Sequence, residues 1–197
     1  MQCQKGEIMA KVLNYGMVGG GPDAFIGDAH RRAISLDESA RLVAGVFSRN
    51  AEKSKKMGEV LHIEEERCYK DYETMALEEA KREDGIDFVV VVTPNASHYE
   101  ICKAFLNAGI HVVCDKPVTT TYEKAVELQK LAEEKSLLFM VTYTYMGHVT
   151  AKYARDLIAS GAIGDVRAVM AEYPQGWLAF EPPVVCGWKT GKQKRAH

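Results

Sequence analysis

At 197 residues the chain has room for one sizeable domain, or for one domain and part of another. Its 25 Lys+Arg against 27 Asp+Glu leave a formal charge of −2, which argues against nucleic acid or an anionic membrane surface as the main partner. No apolar run approaches the ~18–20 residues of a membrane span, and the start of the chain, Met1 to Met9, lacks an apolar signal core.

The five cysteines, Cys3, Cys68, Cys102, Cys114 and Cys186, are odd in number and contain no CxxC. That pattern suggests neither a zinc site nor a disulfide framework, and no other metal site is read from the sequence. Reduced thiols in a cytoplasmic protein are the simplest reading.

Strand and helix signals alternate. Residues 1–9 read as an N-terminal extension. Lys11–Val18 is a first strand, followed directly by Gly19-Gly20-Gly21, with a short helix from Gly27 to Ser35. Arg41–Phe47 is a second strand. Ala51–Leu61 is a helix with Asn50 as N-cap. Cys68–Tyr69 reads as a brief third strand and Thr74–Arg82 as a helix. Phe88–Val92, four valines in a row, has the composition of a strand buried on both faces, as in a parallel sheet. Ser97-His98-Tyr99-Glu100 fits a capping box, opening a helix to Ala108 that Gly109 stops. Ile110–Cys114 is the next strand. Thr120-Thr121-Tyr122-Glu123 fits a second capping box for a helix to Lys135, and Leu138–Val141 is the last strand of the series.

This alternation predicts βαβ units and a doubly wound, parallel α/β sheet over residues 10–142. After Thr142 the character changes. Val149–Ala159 reads as a helix ended by Gly161 and Gly164, and Asp165–Tyr173 as a strand. Residues 143–197 are therefore read apart from that sheet, and the family resemblance given below implies that they start an incomplete α+β domain. Its last stretch, Lys189–Arg195, is a basic tail. Val166, Val169, Met170 and Tyr173 would lie on a strand without a full partner layer. Such an edge must pair with another copy, fold back on the preceding domain or stay mobile; association, as a homo-oligomer, is expected.

Ligands of parallel sheets bind beyond the carboxyl ends of the strands, and the polar residues of this chain concentrate there. Glycine at 19 and 21 lets the backbone approach a pyrophosphate, held on the free N–H groups of the next helix. A literal GxGxxA match runs through Gly19, Gly21 and Ala24. Pro22-Asp23 makes a poor helix start in that register, so Gly27 is the better third position, reached over a longer loop carrying Phe25 and Ile26. The second strand ends in Phe47-Ser48-Arg49-Asn50, with no carboxylate for a ribose 2′-hydroxyl. Ser48 and Arg49 suit a 2′-phosphate instead, which favours NADP over NAD. The later strands run into Thr93-Pro94-Asn95 and into Asp115-Lys116-Pro117. A lysine in such a crevice can stabilise a developing alkoxide or, as the neutral amine, accept its proton. It can equally pair with Asp115. Asn95 can anchor a ribose or cap a turn. His98 can face the cofactor or pack in the helix, and His30 reads as structural.

Taken together, Gly19-Gly20-Gly21 with His30, Thr93-Pro94-Asn95-Ala96-Ser97-His98, Asp115-Lys116-Pro117 and Ser160-Gly161-Ala162-Ile163-Gly164-Asp165-Val166 resemble the N-terminal half of the Gfo/Idh/MocA oxidoreductases. The resemblance covers residues 11–178. Asp115 stands where that family usually has glutamate, and Gly27 and His30 lie farther from Gly21 than usual. The resemblance implies a Rossmann domain binding NAD(P) and a C-terminal domain covering a sugar or polyol site. It also implies that Lys116 is the catalytic residue beside the nicotinamide and the reacting hydroxyl, with Thr93, Pro94 and Asn95 lining the nicotinamide half of the cofactor. Members are much longer and carry a further catalytic histidine downstream, so a truncated chain with little activity alone is expected. A non-catalytic NAD(P)-binding module or sensor is the alternative. A methyltransferase on the same fold would have no use for the Thr93-Pro94-Asn95 and Lys116 constellation.

Overall fold

Five short apolar runs make one sheet. The computed structural model describes residues 11–22 and 24–174. In it β1 (Leu13–Gly19), β2 (Ala40–Val46), β3 (Phe88–Val92), β4 (His111–Cys114) and β5 (Phe139–Val141) lie in the order β2-β1-β3-β4-β5, and every pairing is parallel. Between them run α1 (Phe25–Ser35), α2 (Ala51–Val60), α3 (Tyr72–Glu79), α4 (His98–Asn107) and α5 (Tyr122–Glu134); α6 (Val149–Ala159) follows. This is the doubly wound Rossmann-type arrangement that the alternation predicts.

The valine run shows why the sheet is buried on both sides. Successive side chains of a strand point to opposite faces. Val89 and Val91 join one apolar cluster with Met75 of α3, Phe105 of α4 and Leu128 of α5. Val90 and Val92 join the other, with Met17, Phe47 and Met57 of α2, against which Ile26 and Ile34 of α1 pack. Helices therefore cover both faces, and only the strand ends remain free for polar chemistry. At the amino end, Tyr15 and Phe88 face each other in register and stack with ring centroids 5.4 Å apart.

The segment that bridges β2 at Gly45 carries a buried ion pair. Arg67 donates to both carboxylate oxygens of Glu79, at 3.0 and 2.5 Å, and the Tyr69 hydroxyl donates to Glu79 Oε1 at 2.8 Å. Arg67 and Glu79 are almost completely buried. Such a pair holds the turn before Cys68 against α3. Loss of either partner would leave an uncompensated buried charge.

Several local expectations change. Cys68–Tyr69 is no strand: Cys68 makes a single parallel bridge to Gly45, too short a contact to propagate. Helix α1 begins at Phe25 rather than Gly27. Helix α3 begins at Tyr72 rather than Thr74, capped by the Asp71 carboxylate, which accepts from Thr74 N at 2.7 Å. The capping box at Ser97 does not form, because a 3-10 turn over Asn95–Ser97 runs straight into α4 and holds Ser97 in helical geometry. Helix α5 is capped by Thr121 instead of Thr120, its hydroxyl accepting from Lys124 N at 3.4 Å.

The chain divides into two compact units at Met146/Gly147. In the second, α6 forms as expected and Gly161 and Gly164 take the left-handed conformation, with φ of 72° and 70°. The strand expected over Asp165–Tyr173 is not formed. A strand exists only through its ladder, and none of the described residues pairs with this stretch. The N-terminal extension, Asp23 and the basic Lys189–Arg195 tail lie outside the described residues.

Phe105 is fully buried where α4 meets the sheet. Phe105→Ala is expected to cost about 3–5 kcal/mol, read by urea unfolding followed by circular dichroism. A loss below about 1 kcal/mol would remove α4 from the core that carries the sheet.

Candidate dinucleotide site

From β1 the chain turns to β2 on one side, then returns to lay β3 on the other side of β1. That reversal opens a crevice between β1 and β3 at their carboxyl ends, the usual place for a ligand in an open parallel sheet. The register sets what meets there. Gly19 lies opposite Val92, so the glycine turn and Thr93-Pro94-Asn95 leave the sheet side by side. One strand further on, Val91 lies opposite Cys114, and Asp115 N continues the ladder to the Val91 carbonyl at 2.9 Å.

The glycine turn has the shape of a phosphate cradle. Gly19 and Gly20 have φ of 95° and 71°, a backbone that L side chains rarely adopt. A methyl group on Gly27 would sit 2.3 Å from the Cα of Gly20, so the first turn of α1 rests on the glycine turn with no side chain between them. A methyl group on Gly21 would lie 2.6 Å from the Phe47 carbonyl oxygen. The N-cap of α1 is Ala24, which offers no side-chain acceptor to the first helical N–H groups. These residues fit a pyrophosphate resting on backbone donors. Of the loop residues expected to line it, Ile26 turns inward against the core, whereas Phe25 is 87 % exposed.

Arg31 was not singled out from the sequence, yet it braces this turn. Its guanidinium donates to the Gly20 carbonyl at 3.0 Å and lies 3.5 Å from Met17 Sδ. Only its spacing from Gly27, one helical turn, could have pointed to it.

At the end of β2, the Ser48 hydroxyl accepts from Asn50 N at 3.1 Å, and the Asn50 side chain caps α2 through Lys53 N at 3.0 Å. Arg49 is exposed and makes no ion pair or hydrogen bond with a described residue. At the end of β3, Pro94 and Asn95 are exposed. The Ser97 hydroxyl lies 2.8 Å from both the Pro94 carbonyl oxygen and Thr93 Oγ1, which rounds off this loop.

Asp115 and Lys116 separate in role. The Asp115 carboxylate accepts from the Thr142 hydroxyl at 3.1 Å and lies 3.9 Å from His30 Nε2. Burial lowers the His30 pKa, although Asp115 pulls it the other way. His30 therefore joins α1 to the end of β4, a contact that the sequence reading did not find. Lys116 is exposed, joined to Pro117 by a cis peptide, and makes no ion pair with Asp115 or with any other described residue. Its ammonium thus extends from the end of β4 without a carboxylate partner among those residues.

His98 does not open toward the crevice. It is fully buried at the start of α4, and its ring nitrogens lie 2.8 Å from two carbonyl oxygens, Nδ1 from Pro117 and Nε2 from Thr93. Beside it lie two free thiols, Cys114 of β4 and Cys102 of α4. The Cys102 thiol and then the His98 ring pull Cys114 down to about 6 against the effect of burial, and the same contact with burial drives Cys102 up. Tyr143 and Tyr145, beyond β5, are exposed.

No described helix is long and apolar enough to cross a membrane. Comparison with known proteins agrees with this geometry. Residues 13–143 match the Gfo/Idh/MocA family, described as an oxidoreductase family with an NAD-binding Rossmann fold. The uncharacterized oxidoreductase YfiI of Bacillus subtilis is 44% identical over 175 residues, 88% of this chain and 44% of its own length. The scyllo-inositol 2-dehydrogenase (NADP(+)) IolW of the same organism is 32% identical over 57% of this chain and 30% of its own. A solved inositol dehydrogenase homologue from Azotobacter vinelandii, complexed with NADH and myo-inositol, superposes with a TM-score of 0.76 at 42% identity, covering 80% of this chain and 42% of that one. The chain thus spans less than half the length of these relatives. From its matched residues and its parallel sheet, this chain belongs to the Gfo/Idh/MocA oxidoreductases, with their NAD-binding Rossmann fold over residues 13–143.

Proposed function

We propose that this chain carries the nicotinamide half of a sugar or polyol dehydrogenase. The observation that carries the reading is the crevice itself: a side-chain-free glycine turn beside β3, with the unpaired ammonium of Lys116 two strands away. The names of IolW and of the Azotobacter vinelandii homologue support an inositol-like substrate. A bound nicotinamide dinucleotide would supply the hydride acceptor or donor.

The chain's own residues would do the rest. Gly19, Gly20 and Gly21 would admit the pyrophosphate, with the open N-terminus of α1 offering donors and Arg31 holding the turn from behind. Phe25, Ile26 and Gly27 would form the wall of that end. Thr93, Pro94 and Asn95 would line the nicotinamide half. The Lys116 ammonium would face the reacting oxygen and stabilise the negative charge that grows as its proton leaves. Asp115, held by Thr142 and His30, would fix the loop from which Lys116 projects. The same groups serve the reverse direction, with Lys116 polarising a carbonyl.

The end of β2 bears on the choice of cofactor. It lacks a carboxylate, and the free guanidinium of Arg49 beside Ser48 suits a 2′-phosphate, which favours NADP. NAD is the second reading, because the 42%-identical homologue is complexed with NADH. Fluorescence titration with NADPH and NADH separates them. Arg49→Ala is expected to weaken NADPH more than NADH, and equal losses would withdraw the 2′-phosphate role. Absence of binding of either nucleotide would sink the proposed function.

Lys116→Ala is expected to lower polyol-dependent reduction of the cofactor by about 10²-fold or more, the scale of one acid–base group, with little change in cofactor affinity. Initial rates over a panel of inositols and sugars measure this. Near-wild-type rates would leave Lys116 as a bystander at the rim.

A further inference from the structure

His98 is a buried group that the proposed chemistry does not use. A neutral imidazole has one N–H donor and one bare nitrogen, and a carbonyl oxygen can only accept. Both nitrogens of His98 face carbonyl oxygens at 2.8 Å. In the neutral ring, one of the two would be a lone pair set against a lone pair, in a place closed to water. Only the imidazolium satisfies both contacts.

The two acceptors are not neighbours in the chain. Thr93 belongs to the loop after β3, and Pro117 to the loop after β4. These are the loops that carry Asn95 and Lys116. We infer that His98 is a positioning residue: a buried imidazolium whose two N–H groups tie the Thr93-Pro94-Asn95 loop to the Asp115-Lys116-Pro117 loop and so set the spacing of the groups that face the crevice. The assignment of those groups rests on the proposed dinucleotide site; the tie itself does not.

The balance of forces is consistent. Burial disfavours the cation, and the positive end of α4 opposes it too. Against them stand the Cys114 sulfur beside the ring and the carbonyls of Pro117 and Thr93. Together they overcome burial and push His98 up to about 9. The other titratable groups on this side are Cys102 behind Cys114, and Asp115, which engages His30 and Thr142. The sign follows from linkage. A folded pKa above the ordinary 6.5 means that the tie stabilises the fold fully below about 6.5, and that this contribution fades as pH rises through about 9.

The test uses the cofactor-free chain labelled with 15N. At pH 7 both His98 nitrogens are expected to be protonated; one bare nitrogen would overturn the inference. On raising the pH, His98 should lose one proton near pH 9, and the amide signals of residues 93–97 and 115–118 should shift with that same midpoint. Loops that stay still while His98 titrates would make it mere packing. Cys114→Ser should keep both nitrogens protonated at pH 7. Loss of a proton there would mean that the thiol, and not the carbonyls, holds the cation. In His98→Asn, which has no group that titrates in this range, the alkaline shift of both loops should vanish. Its persistence in a folded variant would overturn the role. NADPH should bind His98→Asn about tenfold more weakly, the scale of one charge-assisted hydrogen bond. If wild-type chain binds no nucleotide while both nitrogens are protonated and the loops follow His98, the proposed function fails and the tie stands.

Discussion

The pairing of β1 with β3, with Gly19 opposite Val92, is the constraint on which the rest of the molecule depends. A parallel sheet needs crossovers, and crossovers put helices on its faces. Once α1 and α2 cover one face and α3 to α5 the other, the sides of the sheet are lined mainly by apolar groups. Polar side chains are left with the strand ends. The switch in strand order at β1 and β3 then sets where their carboxyl ends diverge, and the register sets the glycine turn beside the loop after β3, with the loop after β4 one strand further on.

Those loops are held from behind. Arg31 bonds the carbonyl of Gly20, Thr142 bonds Asp115, His30 lies against the same carboxylate, and His98 spans the loops after β3 and β4. Each supporting side chain is at least partly buried, whereas Pro94, Asn95 and Lys116 are exposed. In the proposed site, the groups that would meet a ligand are thus free, and the groups that would aim them are committed. This division lets a short loop keep a defined shape without a side chain of its own in the core.

The polar groups beside the β2 edge are organised differently. Arg67, Glu79, Tyr69 and Asp84 form a closed polar network there, and every described buried side-chain polar atom has a partner. Its charges are spent on each other. At the carboxyl end, Lys116 and Arg49 have no such carboxylate among the described residues.

The architecture was legible in the residues because it follows from local pattern. Four consecutive β-branched valines between turn signals favour a strand with both faces buried, and strand-helix alternation leaves few topologies beyond a doubly wound sheet. The glycine turn, Thr93-Pro94-Asn95 and Lys116 were legible for a related reason: polar residues directly after buried strands must sit at strand ends. What local pattern could not supply was partnership. Cys68–Tyr69 and Asp165–Tyr173 look like strands but lack a ladder among the described residues, and a ladder is a non-local contact. Whether Lys116 pairs with Asp115, which atoms brace Gly20, and which way the His98 ring points all depend on groups far away in sequence. His98 shows this best. Its position at the head of a helix was readable from the chain, but its two acceptors, Thr93 and Pro117, meet only when β3 and β4 lie side by side.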